Sequence, residues 1–268
     1  MMKEMTMGRY FPGDSIIHRS DPRTKIILTT IFMIVVFLVV SYPAIILLQL
    51  FILIVAKLAG KPLQYALRGL KPVLFLALFA VVINLFFVSG TPVTEHGILR
   101  HISREGISLA AKMVLRLLLL ASGAALLTFT TTPLSLKDGL ERLMKPLNRI
   151  RVPVHEIAMM ITIAMRFIPT ILEEADRITK AQASRSAVFA EGNALQRARN
   201  CMPLILPLFA GAFRRGDDLA TAMEARCYRG NRGRTRMRRL GFSLADLTSA
   251  AVMLVFLTTL MLVEYARF

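Results

Sequence analysis

Two short arginine-centred segments stand out as the residues most suited to chemistry, here recognition rather than catalysis. The first reads Ala181-Gln182-Ala183-Ser184-Arg185-Ser186 and the second Ala222-Met223-Glu224-Ala225-Arg226-Cys227. Each puts a guanidinium beside small side chains at the end of a helical pattern, after an acidic cluster: Glu173, Glu174 and Asp176, then Asp217 and Asp218. Small neighbours let another backbone come close, and the planar guanidinium fork suits carboxylates or carbonyls. One arginine at a helix end is commonly dipole compensation. A matched pair on consecutive helices points to two similar docking sites. Covalent and metal chemistry lack the residues. Cys201 and Cys227 are not in a C-x-x-C pair, the four histidines are scattered, and the phosphate-loop, H-E-x-x-H and G-x-S-x-G patterns are absent. Gly60-Lys61-Pro62 lacks the upstream glycine and the Ser/Thr of a phosphate loop. The expectation is a non-catalytic chain without a cofactor or metal centre of its own.

The elements that carry these segments are set by hydropathy. Of 268 residues 55% are hydrophobic and 19% charged, against about a quarter charged in soluble domains. The apolar residues come in blocks, at about Ile26–Val40, Ala44–Ala56, Val73–Val88, Ile107–Thr130 and Leu244–Val263. Each reads as a membrane span, so the fold class is an all-α polytopic membrane protein of about five spans. Pro43 suits the tight turn of a hairpin between the first two. Asn84 is the main polar residue of the third span and fits a helix–helix hydrogen bond. Lys112 and Arg116, early in the fourth, are expected to snorkel outward. No cleavage signal is read in the mixed, basic N-terminal segment.

The net charge of +17 follows topology. Lys3, Arg9, Arg19, Arg23 and Lys25 precede the first span, Lys57, Lys61, Arg68 and Lys71 follow the second, and 133–242 holds twenty of the 34 basic residues. By the positive-inside rule the N-terminus and the long basic stretch are cytoplasmic, and the C-terminus is outside. Three regions are expected: a membrane domain over 1–132, a cytoplasmic domain of long helices over 133–242, and a last span over 243–268. In the middle region Ile157, Ile161, Ala164, Ile168, Ile171, Ala175 and Ile178 recur at spacings of four and three, one face of a long helix kinked at Pro169. Arg166, Glu173, Glu174, Arg177 and Lys180 lie opposite. A turn at Glu191-Gly192-Asn193 leads to a second helix through Ile205, Leu208, Ala212, Leu219 and Met223. Two further spans, in 158–172 and 202–213, are the competing reading; Arg166 and the pair Pro203 and Pro207 weigh against it. Arg229, Arg232, Arg234, Arg236 and Arg238 read as a juxtamembrane patch against anionic lipid rather than a nucleic-acid surface.

Two stretches resemble a known family. Ala222 to Gly230 (AMEARCYRG) is similar to the Ala-Arg-Gly signature of the transmembrane (T) components of energy-coupling factor ABC transporters, and Pro12 to Ile26 (PGDSIIHRSDPRTKI) to their opening segment. The first arginine segment departs from the pattern, with Ser184-Arg185-Ser186 where the family has Ala-Arg-Gly. The resemblance implies two cytoplasmic ABC-type ATPase subunits, docked at Ser184, Arg185 and Ser186 and at Ala225, Arg226 and Cys227. It further implies a membrane-embedded S component that captures a vitamin or metal ion, and a plasma-membrane location. A self-sufficient secondary carrier is the alternative, but such carriers place ionisable groups or broken helices at mid-membrane. The topology is directly testable. Alkaline phosphatase fused after Gly97 or Phe268 should be active, and fused after Gly192 inactive; activity at Gly192 would contradict the cytoplasmic assignment.

Overall fold

Helix starts in this chain are marked by local chemistry. The computed structural model describes residues 13, 15–60, 71–88, 91, 103–185, 193–230 and 241–265. After a single turn, α1 (Ile16–Arg19), Asp21 caps α2 (Pro22–Leu38) by accepting the Arg23 N–H at 2.9 Å, with Pro22 at the first helical position. Pro43 sits in the first turn of α3 (Tyr42–Leu58), as the expected tight turn requires, but α2 and α3 pack mainly against the helix Arg104–Thr130 rather than against each other. α4 covers Lys71–Phe87. Ser103 caps α5 (Arg104–Thr130), accepting the Gly106 N–H at 2.9 Å while its own hydroxyl donates to the Val88 carbonyl at 2.8 Å. α6 (Pro133–Leu143) and a 3₁₀ turn (Lys145–Ile150) precede α7 (Val154–Ala183); α8 (Ala194–Asn200), α9 (Met202–Ala225) and α10 (Leu244–Tyr265) follow. The described residues are all-helical apart from turns and loops.

α5, α7 and α10 are long and apolar enough to cross a membrane, with mean hydropathies of 1.9, 1.4 and 2.0. The shorter apolar helices Tyr42–Leu58 and Val73–Phe86 accompany them. This is the pattern of a polytopic membrane protein. α7 reaches spanning length and hydropathy although its last turns carry Glu173, Glu174, Asp176, Arg177 and Lys180.

The chain divides into two compact units, Met1–Leu143 with Arg238–Phe268, and Met144–Met237. In the first, α2, α3, α5 and α10 share one core of Phe32, Val36, Leu48, Leu119, Phe256 and Leu260 among others. Phe51 stacks on Phe256 with ring centroids 4.0 Å apart. Lipid tails are as apolar as these side chains, so close packing rather than water exclusion holds such helices together.

Polar ties at the two ends of the bundle fix the alternation of the helices. At one end the Asp246 carboxylate, 3% exposed, accepts the N–H groups of Asp21 at 2.6 Å and Ser243 at 2.7 Å. There Lys25 Nζ donates to the Thr130 carbonyl at 3.0 Å. At the other end Arg116 donates to the Val39 carbonyl at 2.6 Å, the Tyr42 hydroxyl to the Ser108 carbonyl at 2.8 Å, and Lys112 lies 4.7 Å from the Tyr42 ring. Lys112 and Arg116 therefore do not simply snorkel: each holds the turn between α2 and α3, because a carbonyl at a helix end and an aromatic face are both within reach. Asn84 also differs from expectation. Its amide donates to Ala80 O at 2.8 Å within its own helix.

Two glycines permit close helix approach. A Cβ at Gly106 would lie 2.8 Å from the Asn84 carbonyl oxygen of α4, and one at Gly139 of α6 would lie 3.2 Å from the Pro22 carbonyl carbon. Gly106→Ala is expected to destabilise the detergent-solubilised protein by about 1–3 kcal/mol, the usual cost of overpacking. Thermal unfolding checks this, and an unchanged midpoint would refute the packing assigned to α4 and α5.

Candidate functional site

Both arginine segments lie in the second unit, at the ends of α7 and α9. α7 runs thirty residues with Pro169 inside it, and its last carbonyls are taken up locally. Ser184 donates to the Lys180 carbonyl through its N–H and its hydroxyl, both at 3.1 Å, and Arg185 N–H reaches Gln182 O at 3.0 Å. Ser184 and Arg185 are exposed; Ser186 and Glu191-Gly192 lie outside the described residues. Asn193 then opens α8 with a reciprocal capping box to Gln196.

α9 ends in a Schellman motif. Tyr228 N–H bonds Met223 O at 3.0 Å, and Cys227 N–H bonds Glu224 O at 2.8 Å. This places Cys227 at a φ of 55°, the left-handed position that favours glycine. The Ala-Arg-Gly pattern thus has a physical meaning: glycine stops the helix directly after the arginine without strain. Cysteine holds the same backbone at a cost of roughly 1 kcal/mol. Ala225, Arg226 and Cys227 are all exposed.

The helices are paired by a contact the sequence reading did not anticipate. Arg215 of α9 is salt-bridged to Glu174 of α7, each side chain less than one-third exposed. Gly211, one turn earlier, leaves the space for this carboxylate: a Cβ there would lie 2.9 Å from Glu174 Oε1. Farther along, the Tyr228 hydroxyl donates to Met159 Sδ at 3.1 Å. Arg215 of α9 and Tyr228 just past its end therefore meet Glu174 and Met159 of α7, so the two helices run antiparallel. Arg185 lies eleven residues beyond Glu174, and Arg226 eleven beyond Arg215, in opposite directions. At about 1.5 Å per residue each arginine is roughly 16 Å from the crossing contact, which puts the two roughly 30 Å apart. The structure does not bring them together; it presents them separately, at opposite ends of one rigid pair.

The apolar stripe read along the first part of α7 does not make this pairing, whereas Ala175 and Ile178 and, on the second helix, Leu208, Leu219 and Met223 are half-buried as that reading requires. Ile157, Ile161, Ala164, Ile168 and Ile171 of α7 are exposed, as are Ile205 and Ala212 of α9. The half-buried positions of α9 are Leu204, Leu208, Gly211, Arg215, Leu219 and Met223. Phe209 and Phe213 are 60% and 71% exposed. Periodicity located an apolar face correctly, but that face is left for something outside the unit, while a polar pair and a glycine set the crossing. The one signal in the sequence was a glycine inside an apolar helix, a mark of close approach. Among the described residues no three His, Cys, Asp or Glu side chains are grouped as a metal centre needs.

Residues 13–237 match the family model CbiQ, described as a cobalt transport protein. The chain belongs to the CbiQ family. Its relatives refine this membership. The energy-coupling factor transporter transmembrane protein EcfT of Ruminiclostridium cellulolyticum is 52% identical over 268 residues, the whole of both chains. Those of Thermosediminibacter oceani and Lactococcus lactis subsp. cremoris are 51% and 40% identical, over 92% and 99% of this chain and 93% and 99% of their own. This CbiQ-family chain is accordingly an energy-coupling factor transporter transmembrane protein, a non-catalytic membrane subunit, as its opening segment and second arginine motif implied. The pairing of α7 and α9 is open to test by a double-mutant cycle. Glu174→Ala and Arg215→Ala should each lower stability in detergent, with a coupling energy of about 0.5–1 kcal/mol for a partly exposed pair. A coupling near zero would remove the salt bridge from the account.

Proposed function

We propose that this chain is the mechanical link of an energy-coupling factor transporter, carrying ATP-driven motion from two ABC-type ATPase subunits to a substrate-binding S component in the membrane. The observation that carries the reading is the antiparallel α7–α9 pair with one exposed arginine at each far end. Two separate tips suit two separate motor subunits, whereas a single composite site would bring the guanidiniums together. The tips share a small residue before an exposed arginine at a helix end, a guanidinium able to enter a partner's groove and take carboxylates or carbonyls.

The pair belongs on the cytoplasmic side, with the N-terminus. The supports are the twenty basic residues of 133–242 and the exposed Arg166 within the apolar part of α7, a costly residue at mid-membrane. Its exposed isoleucines and phenylalanines then lie along the membrane face or against the S component. ATP binding draws the ATPases together, the arginine-tipped helices follow as rigid levers, and the S component reorients to release its vitamin or metal cargo. Cargo selection rests with the S component, and this chain needs no cofactor of its own.

Arg185→Ala and Arg226→Ala should each weaken retention of an ATPase subunit, and the double variant should abolish both retention and uptake while the chain still inserts. Co-purification from membranes, with uptake measured in parallel, reads this out. Full uptake by the double variant would refute the docking role.

A further inference from the structure

The first unit holds a half-open cavity of about 570 Å³, walled by α1, α2, α3, α5 and α10. Its lining is two-ended. Ser20, Thr24, Lys25 and Ser249 stand at the end of the bundle where α2 and α10 begin, and Phe32 and Phe51 lie deeper. From Thr24 to Phe32 is eight residues of helix, roughly 12 Å along the bundle. Its apolar part offers ordered water no polar partners; only the polar end does.

Two donors, Thr24 and Lys25, line it with bonding capacity left over among the described residues. Thr24 is 9% exposed and its hydroxyl has no hydrogen-bond partner among the described residues. Lys25 Nζ gives two of its three protons to the carbonyls of Thr130 at 3.0 Å and His18 at 3.2 Å. A buried hydroxyl left unbonded is rare in folded proteins and calls for a partner. Both are donors suited to an oxygen acceptor, and both stand at the polar end of an otherwise apolar slot.

We propose that this cavity holds one acyl chain of an amphiphile, its head-group oxygen accepting hydrogen bonds from Thr24 and Lys25. A phospholipid ester and a fatty-acid carboxylate offer the same chemistry, an apolar tail ending in an oxygen acceptor. The bound chain completes the packing between α2, α3, α5 and α10. It does not depend on ATPase docking, so the two readings stand or fall separately.

The test uses the full chain in nanodiscs of phosphatidylcholine and phosphatidylglycerol with added deuterated palmitate, followed by release into mild detergent and native mass spectrometry. The wild type should retain about one acyl-bearing molecule per chain, the size of the cavity allowing one drug-sized ligand. A phospholipid mass identifies membrane lipid as the source, and a deuterated mass identifies free fatty acid; either supports the site. Val55→Trp and Leu127→Trp, two independent ways of filling the slot, should lose the adduct while keeping the wild-type unfolding temperature. Thr24→Val, nearly isosteric, should lower retention by up to about tenfold, the loss of one hydrogen bond. A wild type without an acyl adduct, or retention unchanged in Thr24→Val and in a folded filled variant, would overturn the proposal.

Discussion

The placement of this protein's two exposed arginine tips depends on one contact, the salt bridge of Glu174 to Arg215 across the gap left by Gly211. It is modest in energy, as partly exposed ion pairs are. Its consequence is geometric. It fixes where α7 and α9 cross, and with Tyr228 on Met159 it fixes that they run in opposite directions. Everything proposed about coupling follows from that direction. Had the helices run parallel, Arg185 and Arg226 would share one end and could serve one partner. Running antiparallel, they stand at separate ends, which is the arrangement two partners require.

The membrane unit solves a different problem with the same economy. Packing in lipid gains little from hydrophobicity, so specificity comes from close approach and polar ties. Gly106 lets α5 come against the backbone of α4, and Gly139 lets α6 come against α2. Asp246 binds the start of the last helix to the residue capping the first long one, and Arg116 and Lys112 hold the turn at the opposite end. Charges inside this unit therefore act as fastenings.

The membrane helices were legible because each is a continuous apolar run, bounded by Pro22, Pro43 or a serine cap, and such signals are local. The arginine segments were legible for the same reason: a small residue, an arginine and a helix stop occupy three positions. At Cys227 the structure supplies the reason for the pattern, a positive φ that glycine would take freely. What stayed hidden depended on distant partners. Glu174 looked like part of a solvated face, and Arg215 like one of many basic residues, because forty-one residues separate them. The isoleucine stripe of α7 was read as one face of a long amphipathic helix, and its partner stayed unassigned. Periodicity reports that a face is apolar and cannot report what will cover it. Lys112, Arg116 and Asn84 were placed correctly along their helices, yet their bonds are decided by turns and carbonyls that only the fold assembles.

The central claim, that two separate helix ends each hold a motor subunit, is tested most directly by site-specific photo-crosslinking in intact membranes. A photoreactive residue at Ser184 or at Glu224 leaves both arginines in place. The account predicts that each position alone captures an ATPase subunit, and that both together capture two per chain. Capture of lipid alone at either position, or of a single ATPase by the doubly labelled chain, would contradict it.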